Sequence, residues 1–142
     1  MYNILMKFKS AKIIIYDKNN NILLLTRSDT HPKYPLHLDL PGGIVEENEN
    51  NEIAIIRECI EETGLVLEIN NIKLVENVEF SHFSRNLFET KLDKIEPEIK
   101  LSCEHSDYKW LRKEEIRKMN SSKKYDPYYN MLVEYLKNKD DK

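Results

Sequence analysis

The sequence is poor in cysteine, glycine and tryptophan: it contains two cysteines, three glycines and one tryptophan among 142 residues. Cys59 and Cys103 lie far apart and form no CxxC pair, so we expect neither a zinc site nor a disulfide, and such thiols are typical of a reducing cytosol. No apolar run approaches the length of a membrane span, and positions 1–10 lack the apolar segment of a signal peptide. These absences predict a cytoplasmic protein with no membrane partner.

A strong positive charge is also lacking, since the formal net charge is −3. An acidic balance argues against binding of long nucleic acid, which depends on clustered basic residues. A chain of 142 residues is large enough to bury a core without disulfides or structural zinc, and we expect residues 1–142 to form a single domain. The four histidines are scattered, which favours surface or hydrogen-bonded roles over catalysis.

Lysine is missing from residues 34–72, where Arg57 is the only basic residue. A surface shaped only by solubility would interleave both signs, with Glu–Lys pairs four residues apart. Here one sign is concentrated, which predicts a ligand of the opposite charge. The carboxylates of this segment are Asp39, Glu46, Glu47, Glu49, Glu52, Glu58, Glu61, Glu62 and Glu68.

Glu58, Glu61 and Glu62 have the spacing of one helix face, within about 100° of each other at about 100° per residue. The opposite side of that helix carries Ile53, Ile56 and Ile60. We therefore expect an apolar back and an acidic front. Because hard divalent cations prefer oxygen ligands, the acidic front predicts a magnesium site that faces a phosphorylated ligand.

Glycines bracket this helix. Gly64 follows the last periodic position and suits a left-handed C-terminal cap. Before the helix, Pro41-Gly42-Gly43 is a turn signal, in which a glycine can take a positive φ and expose its carbonyl as a further metal ligand. The helix is predicted from about Asn50 to Thr63.

The 23 residues from Gly43 to Leu65 resemble the Nudix box, with Gly43, Glu49 and the run Arg57-Glu58-Cys59-Ile60-Glu61-Glu62-Thr63-Gly64-Leu65 at its fixed positions. Cys59 stands where the family usually has a larger aliphatic residue, and Leu38 to Gly43 also resembles the family's approach to the box. The resemblance implies an α/β/α sandwich with a mixed β-sheet between helices. It also implies a hydrolase of nucleoside diphosphates linked to another moiety.

The resemblance assigns a role to each box residue. Glu61 and Glu62 would be the principal metal ligands, and Glu58 would be a ligand or the catalytic base. Glu49 would assist the metal cluster, Gly42 or Gly43 would offer a carbonyl, and Arg57 would complete the catalytic set by orienting the glutamates.

A further metal ligand is expected from outside the box. Glu104, six residues before Trp110 in a loop that enters a strand, resembles such a ligand, and the alternative is an exposed loop glutamate. The expected cofactor is Mg²⁺, with Mn²⁺ as a substitute. Such ions neutralise the oxygens of a diphosphate and activate a water molecule, so no nucleophilic side chain is needed.

Alternating patterns predict a mixed sheet. The predicted helices after the box helix are Lys113 to Met119 and a last helix that Asp126-Pro127 opens and that ends near Lys137. The predicted strands are Lys7 to Tyr16, Ile22 to Thr26, Leu38 to Leu40, Val66 to Ile69, Ile72 to Phe80, Leu87 to Leu92 and Tyr108 to Leu111.

Residues beyond the box bear on the substrate. Marker residues of ADP-ribose and dinucleoside-polyphosphate branches are missing, since this chain has Phe80-Ser81 and His82-Phe83 there. These absences favour a small-molecule substrate, an ordinary or oxidised nucleoside triphosphate cleaved to monophosphate and pyrophosphate. Arg27 is a candidate phosphate ligand or a solvated strand end, and Phe83 is a candidate base-stacking residue. Asp126 is a candidate for reading a purine edge or a helix N-cap.

Several alternatives stay open. The substrate could instead be ADP-ribose, a nucleotide sugar, a dinucleoside polyphosphate or an RNA 5′ end, although the acidic balance opposes RNA. A non-catalytic nucleotide-binding regulator would be expected to lose box carboxylates, and this chain keeps them all. The sequence also leaves a monomer and a homodimer equally open.

Overall fold

The computed structural model describes residues 8–119 and 127–140, with the side chain of Asp140 outside that description. The strands are β1 (Phe8–Tyr16), β2 (Ile22–Arg27), β3 (Leu38–Asp39), β4 (Gly42–Ile44), β5 (Lys73–Glu79), β6 (Phe83–Lys91) and β7 (His105–Leu111). The helices are α1 (Asn51–Thr63), α2 (Lys113–Lys118) and α3 (Pro127–Asp140), and a 3₁₀ turn covers Ile69–Asn71. Over these ranges, none of the helices combines the length and apolar character that crossing a bilayer requires.

One mixed sheet has the strand order β3-β2-β1-β6-β5, while β4 also pairs with β1 and β7 with β2. The long pairing of β1 with β6 is parallel and runs from Phe8–Phe83 to Tyr16–Lys91. The other pairings are antiparallel. Strand β1 is therefore central, and its first half contacts both β4 and β6.

Both faces of the sheet are covered. Ile13 and Ile15 of β1 pack in one core with Ile55 of α1, whereas Ile14 packs in a second core with α2 and α3. A strand that is buried on both faces carries a continuous apolar run, and residues 13–15 are such a run. The predicted α/β/α sandwich with a mixed sheet is confirmed.

Gly64 caps the C-terminus of α1 as predicted, and Asn50, expected as the first residue of the helix, is its N-cap. The Asn50 side chain accepts a hydrogen bond from the Ile53 N–H at 2.8 Å, which satisfies one backbone donor of the first turn. Gly64 takes a φ of 77° and donates its N–H to the Ile60 carbonyl at 3.0 Å. These two caps define where the helix begins and ends, and so they define where its glutamates lie relative to β4.

Some predicted elements are wrong. The strand expected over Val66 to Ile69 does not form: Val66 is exposed, and the 3₁₀ turn begins at Ile69. Gly42 and Gly43 of the expected turn Pro41-Gly42-Gly43 belong instead to the short strand β4, because their backbone pairs with β1. The helix α3 continues past Lys137 to Asp140, and its predicted opening at Asp126 lies outside the described residues.

Two strands begin earlier than predicted. Strand β6 begins at Phe83 instead of Leu87, and β7 begins at His105 instead of Tyr108. The added segments, residues 83–86 and 105–107, are rich in polar residues, so no apolar run predicts a strand there. They are strands because β1 and β2 offer backbone partners along their whole length.

Candidate functional site

Strand β4 places two glycines, Gly42 and Gly43, against α1. Gly42 has a φ of 127°, and a Cβ at this position would lie 2.2 Å from the Ala11 carbonyl oxygen. A Cβ on Gly43 would lie 2.8 Å from Glu58 Oε2. Close approach to the backbone of β1 therefore requires a glycine at position 42, whereas at Gly43 a Cβ would displace the Glu58 carboxylate.

Arg57 gathers three of the predicted glutamates. Its Nε and Nη2 donate to the two carboxylate oxygens of Glu49, at 2.6 and 2.9 Å. Its Nη1 donates to Glu58 at 2.7 Å and to Glu61 at 3.2 Å, so these two carboxylates share one donor. The hydrogen bonds from Arg57 lower the pKa of Glu49 to about 2. The predicted orienting role of Arg57 agrees with this arrangement.

Glu62 is placed differently from the acidic front that the spacing suggested. Its side chain is buried, and its Oε1 accepts the Gly42 N–H at 2.9 Å. The pKa of Glu62 is raised to about 9, mainly by burial and also by the nearby Glu58 and Asp39, while the charge of Lys12 and the hydrogen bond from Gly42 oppose the shift. A cation beside this carboxylate would favour its ionised form.

The predicted apolar back of α1 is wrong in its residues. Ile53 and Ile60 are 44% and 45% exposed, and only Ile56 packs partly against the core. The buried stripe instead contains Ile55 and Cys59, which contact the sheet. This stripe lies next to the carboxylates around the helix and not opposite them, so Glu62 is drawn into the interior while Glu61 faces solvent.

Asp39 is the centre of a buried charge cluster beside Glu62. Its carboxylate pairs with Lys12, and Arg27 Nε lies 3.3 Å away. It also contacts His105 Nε2 at 2.9 Å and accepts the Leu40 N–H. These partners outweigh burial and hold the pKa of Asp39 well below its usual range. Lys12 and His105 were missed as site residues, although a lysine inside the apolar run of β1 is an unusual feature that could have identified the first.

Arg27 and Glu104 lie together at the edge of this cluster. Arg27 is buried, so the solvated strand end is wrong, and its Nη1 donates to the Lys33 carbonyl at 3.1 Å. Glu104 is exposed in the turn before β7, and its carbonyl accepts the Ser28 N–H at 2.9 Å. Burial lowers the pKa of His31, and the charge of the nearby Glu104 opposes this shift. These contacts join Glu104 to the Asp39 side of the site rather than to Arg57.

The predicted stacking residue Phe83 belongs to an aromatic pair. The rings of Phe80 and Phe83 are stacked with centroids 4.4 Å apart, and the Arg85 guanidinium lies 4.8 and 5.0 Å from them. Ser10 of β1 pairs with Arg85 on one side and with Ile44 on the other, and the Ile44 carbonyl accepts a hydrogen bond from Arg57. The aromatic pair therefore lies at the start of β6, and β1 separates it from β4 and from the carboxylates that Arg57 contacts. Asp126, the remaining predicted contact, lies outside the described residues.

The carboxylates beside β4 have the chemistry of a divalent-cation site. Over residues 8–119 and 127–140, no group of three or more His, Cys, Asp or Glu side chains is arranged as a metal site. Glu49, Glu58 and Glu61 are instead hydrogen-bonded to Arg57. The residues nevertheless fit such an ion in their chemistry. They supply carboxylate oxygens beside a glycine backbone that a Cβ would obstruct, and such oxygens are the ligand type that hard cations prefer.

A family model described as the NUDIX domain matches residues 6–132. The chain belongs to this family. The NUDIX assignment agrees with the helix, the glycine strand and the arginine-bound glutamates described above. It also explains the concentration of one sign of charge in residues 34–72.

Curated relatives of the NUDIX chain match it over part of its length. A putative 8-oxo-dGTP diphosphatase of Bacillus subtilis strain 168 is 43% identical over 56 residues, which is 39% of this chain and 34% of that protein. An ADP-ribose pyrophosphatase of Methanocaldococcus jannaschii is 40% identical over 58 residues, which is 41% of this chain and 33% of that protein. The matches thus span about a third of the length of these two relatives.

Among solved structures, the MutT protein of Methanosarcina mazei Go1 resembles the chain over almost its whole length. The TM-score is 0.73 at 26% identity, and the match covers 99% of this chain and 100% of that one. This similarity confirms the NUDIX fold independently of the box itself.

Proposed function

We propose that this chain is a divalent-metal-dependent hydrolase of phosphoric anhydrides in nucleotides. The observation that carries the proposal is the cluster of Glu49, Glu58 and Glu61 around Arg57. Without a metal ion, the Arg57 guanidinium neutralises these three carboxylates, which lie beside the glycines of β4. Carboxylates gathered beside a backbone without side chains leave room for a metal ion and a substrate, which supports hydrolysis over a purely structural role.

The predicted metal ligands keep their assignment in this proposal. Glu58, Glu61 and Glu62 would hold Mg²⁺ or Mn²⁺, with Glu49 and the Gly42 carbonyl in support. Glu104 would approach from the opposite side, from the turn before β7. Its place beside Arg27 supports a role as a ligand of a metal ion that contacts substrate phosphate.

The bound cation would neutralise phosphate oxygens and activate water for attack on phosphorus. Arg57 would orient Glu58 and Glu61 through its shared Nη1, and Glu58 would accept the proton of the attacking water at a carboxylate oxygen. Arg27 is held by Asp39 and the Lys33 carbonyl, so its charge would act on the substrate from a fixed position.

For the substrate we propose a nucleoside triphosphate, ordinary or oxidised, that is cleaved to monophosphate and pyrophosphate. The name of the Bacillus subtilis relative supports this choice. The stacked Phe80 and Phe83 with Arg85 support it as well, because aromatic rings and guanidinium groups bind the faces of nucleobases. The second candidate is ADP-ribose, which the name of the Methanocaldococcus jannaschii relative favours.

We also propose the domain organisation and the cellular location of the chain. The chain would act as a single NUDIX domain, which the extent of the family match over residues 6–132 supports. It would work in the cytoplasm on small-molecule nucleotides, in keeping with two free cysteines.

A hydrolysis panel with magnesium tests the proposal. It would contain the ordinary nucleoside triphosphates, 8-oxo-dGTP, ADP-ribose, a nucleotide sugar, a dinucleoside polyphosphate and a triphosphorylated RNA, with products separated by chromatography. We expect monophosphate and pyrophosphate from one or a few triphosphates, and no products with the Glu61→Gln variant. Cleavage confined to ADP-ribose would establish the second candidate. If the whole panel, a triphosphorylated RNA included, were left intact, the proposed activity would be wrong.

A further inference from the structure

A cavity of about 410 Å³ lies at the end of the sheet away from β4. It is formed by the last residues of β1 and β6, the start of β5 and the end of α3. A volume of this size is within the range of small-molecule sites. The lining residues are Tyr16, Asn20, Asn71, Lys73, Glu89, Thr90, Lys91, Lys113, Leu136 and Lys139.

The charge of this lining is unusual for the chain. Four lysines face a single carboxylate, that of Glu89, whereas the whole chain has a net charge of −3. That carboxylate already accepts the Tyr135 hydroxyl at 2.8 Å, and Lys139 Nζ lies 3.7 Å from it. Its charge is therefore shared among groups of the protein. Clustered ammonium groups repel each other unless an anion lies among them.

Tyr16 adds a hydrogen-bond donor to the lining. Its hydroxyl oxygen is buried and has no hydrogen-bond partner among the described residues. Burial raises the pKa of Tyr16 to about 12, so the hydroxyl keeps its proton and can donate. The Lys139 ammonium lies 5.2 Å from the centre of the same ring. A buried donor without a partner is costly, and a bound acceptor would remove that cost.

The cavity is separate from the NUDIX carboxylates. Gly42 pairs with Lys12, whereas Tyr16 is four residues further along β1, about 13 Å away at the rise of a strand. Leu136 and Lys139 come from the second half of α3, whose first residues approach Lys12 through Tyr128. A ligand in the cavity would therefore not compete for the same contacts as a metal-bound nucleotide.

We propose that this cavity binds a small polyphosphate anion of the size and charge of inorganic pyrophosphate. The four ammonium groups neutralise the anion, and the Tyr16 hydroxyl donates to one of its oxygens. The site goes beyond the proposed hydrolysis and does not depend on it.

Titration calorimetry with pyrophosphate, in EDTA and without divalent metal, tests the site. We expect saturable binding to wild-type protein, and at least a tenfold weaker affinity for the double variant Lys73→Gln/Lys91→Gln. The matched control is Lys109→Gln/Lys118→Gln, which removes the same charge from two exposed lysines elsewhere. It should bind within twofold of wild type. Equal losses in both variants would reduce the effect to overall charge and overturn the site.

Two further variants locate the anion. Tyr16→Phe removes only the hydroxyl and should weaken binding several-fold without lowering the melting temperature. Glu61→Gln should leave binding unchanged, because its carboxylate belongs to the other end of the sheet. Absence of binding at millimolar pyrophosphate, or an affinity that follows Glu61→Gln instead of Tyr16→Phe, would contradict the proposal. Neither result would bear on hydrolysis at the carboxylates.

Discussion

At Asp39, a single buried carboxylate is surrounded by Lys12, Arg27 and His105. Removing one partner of a buried ion pair is costly because the other is left without compensation. Here one carboxylate compensates two permanent cations, Lys12 and Arg27. The position of Arg27, and through Lys12 the environment of Glu62, therefore depend on this residue.

We expect Asp39→Asn to lower the free energy of unfolding by about 3–5 kcal/mol at neutral pH, as for other buried pairs that lose one member. The depressed pKa of Asp39 sets the pH dependence. Its stabilisation is present above the unfolded pKa of about 3.9 and is lost as pH falls toward the folded value. The difference between wild type and variant should thus be constant above about pH 5 and shrink below about pH 4.

Urea denaturation at a series of pH values measures this difference. Asp107→Asn is the matched control, since Asp107 is exposed on β7. It should change stability by less than about 0.5 kcal/mol. A similar cost for both substitutions would mean that the buried cluster around Asp39 does not stabilise the fold.

At the residue scale, the resemblance of the box predicted that Arg57 would orient the glutamates. The structure places Arg57 in hydrogen-bond contact with Glu49 and Glu58, and the role itself stays a prediction. The burial of Glu62 was not predictable from its spacing, because burial depends on which strand lies against the helix. His105 gave no local signal either, since its partner Asp39 is 66 positions away in the sequence.

At the scale of elements, the short strand β4 is the part that joins backbone to carboxylates. Its first residue holds Glu62 through a backbone N–H, and its second lies against Glu58. Both residues are glycines, but for different reasons. The positive φ and the contact with β1 constrain Gly42, whereas only the Glu58 side chain limits Gly43.

This difference predicts opposite outcomes for two alanine substitutions. Gly42→Ala should destabilise the fold, because its Cβ meets fixed backbone and its φ is unfavourable for alanine. Gly43→Ala should leave the melting temperature within a few degrees of wild type but reduce turnover, because its Cβ displaces the mobile end of Glu58. Melting curves and initial rates on both variants measure this. A fully active Gly43→Ala protein would remove Glu58 from the proposed site.

Elements were predictable where periodicity and caps agree, as for α1 between Asn50 and Gly64. The strand expected over Val66 to Ile69 does not form, because this apolar segment has no neighbouring strand with which its backbone could pair. The early starts of β6 and β7 were missed for the converse reason. Their polar residues are strands only because neighbouring strands bind their backbone.

At the scale of the whole molecule, charge is divided between the two ends of the sheet. Carboxylates collect around α1, and lysines collect around the far cavity. Arg57 is the only basic residue among residues 34–72, so it cannot balance all the carboxylates of that segment. The folded protein should consequently bind divalent cations and be stabilised by them.

Magnesium should therefore raise the melting temperature of the wild-type protein. A ligand present at about 100 times its dissociation constant stabilises by about 2.7 kcal/mol. We expect a clearly smaller shift for Glu61→Gln, and calorimetric melting in sodium chloride of matched ionic strength excludes simple screening. An unmoved melting curve in millimolar magnesium, from a protein that is active under the same conditions, would place the metal elsewhere.

The most direct measurement is the rate of nucleoside triphosphate hydrolysis against magnesium concentration, for wild type, Glu61→Gln and Glu68→Gln. Glu68 is the matched control, an exposed glutamate outside α1. The proposal predicts saturable magnesium dependence for wild type and Glu68→Gln. It predicts a loss above about 100-fold for Glu61→Gln, since even residues that only orient a metal ligand cost about 10–100-fold. Equal rates for all three proteins, or turnover without divalent metal, would contradict it.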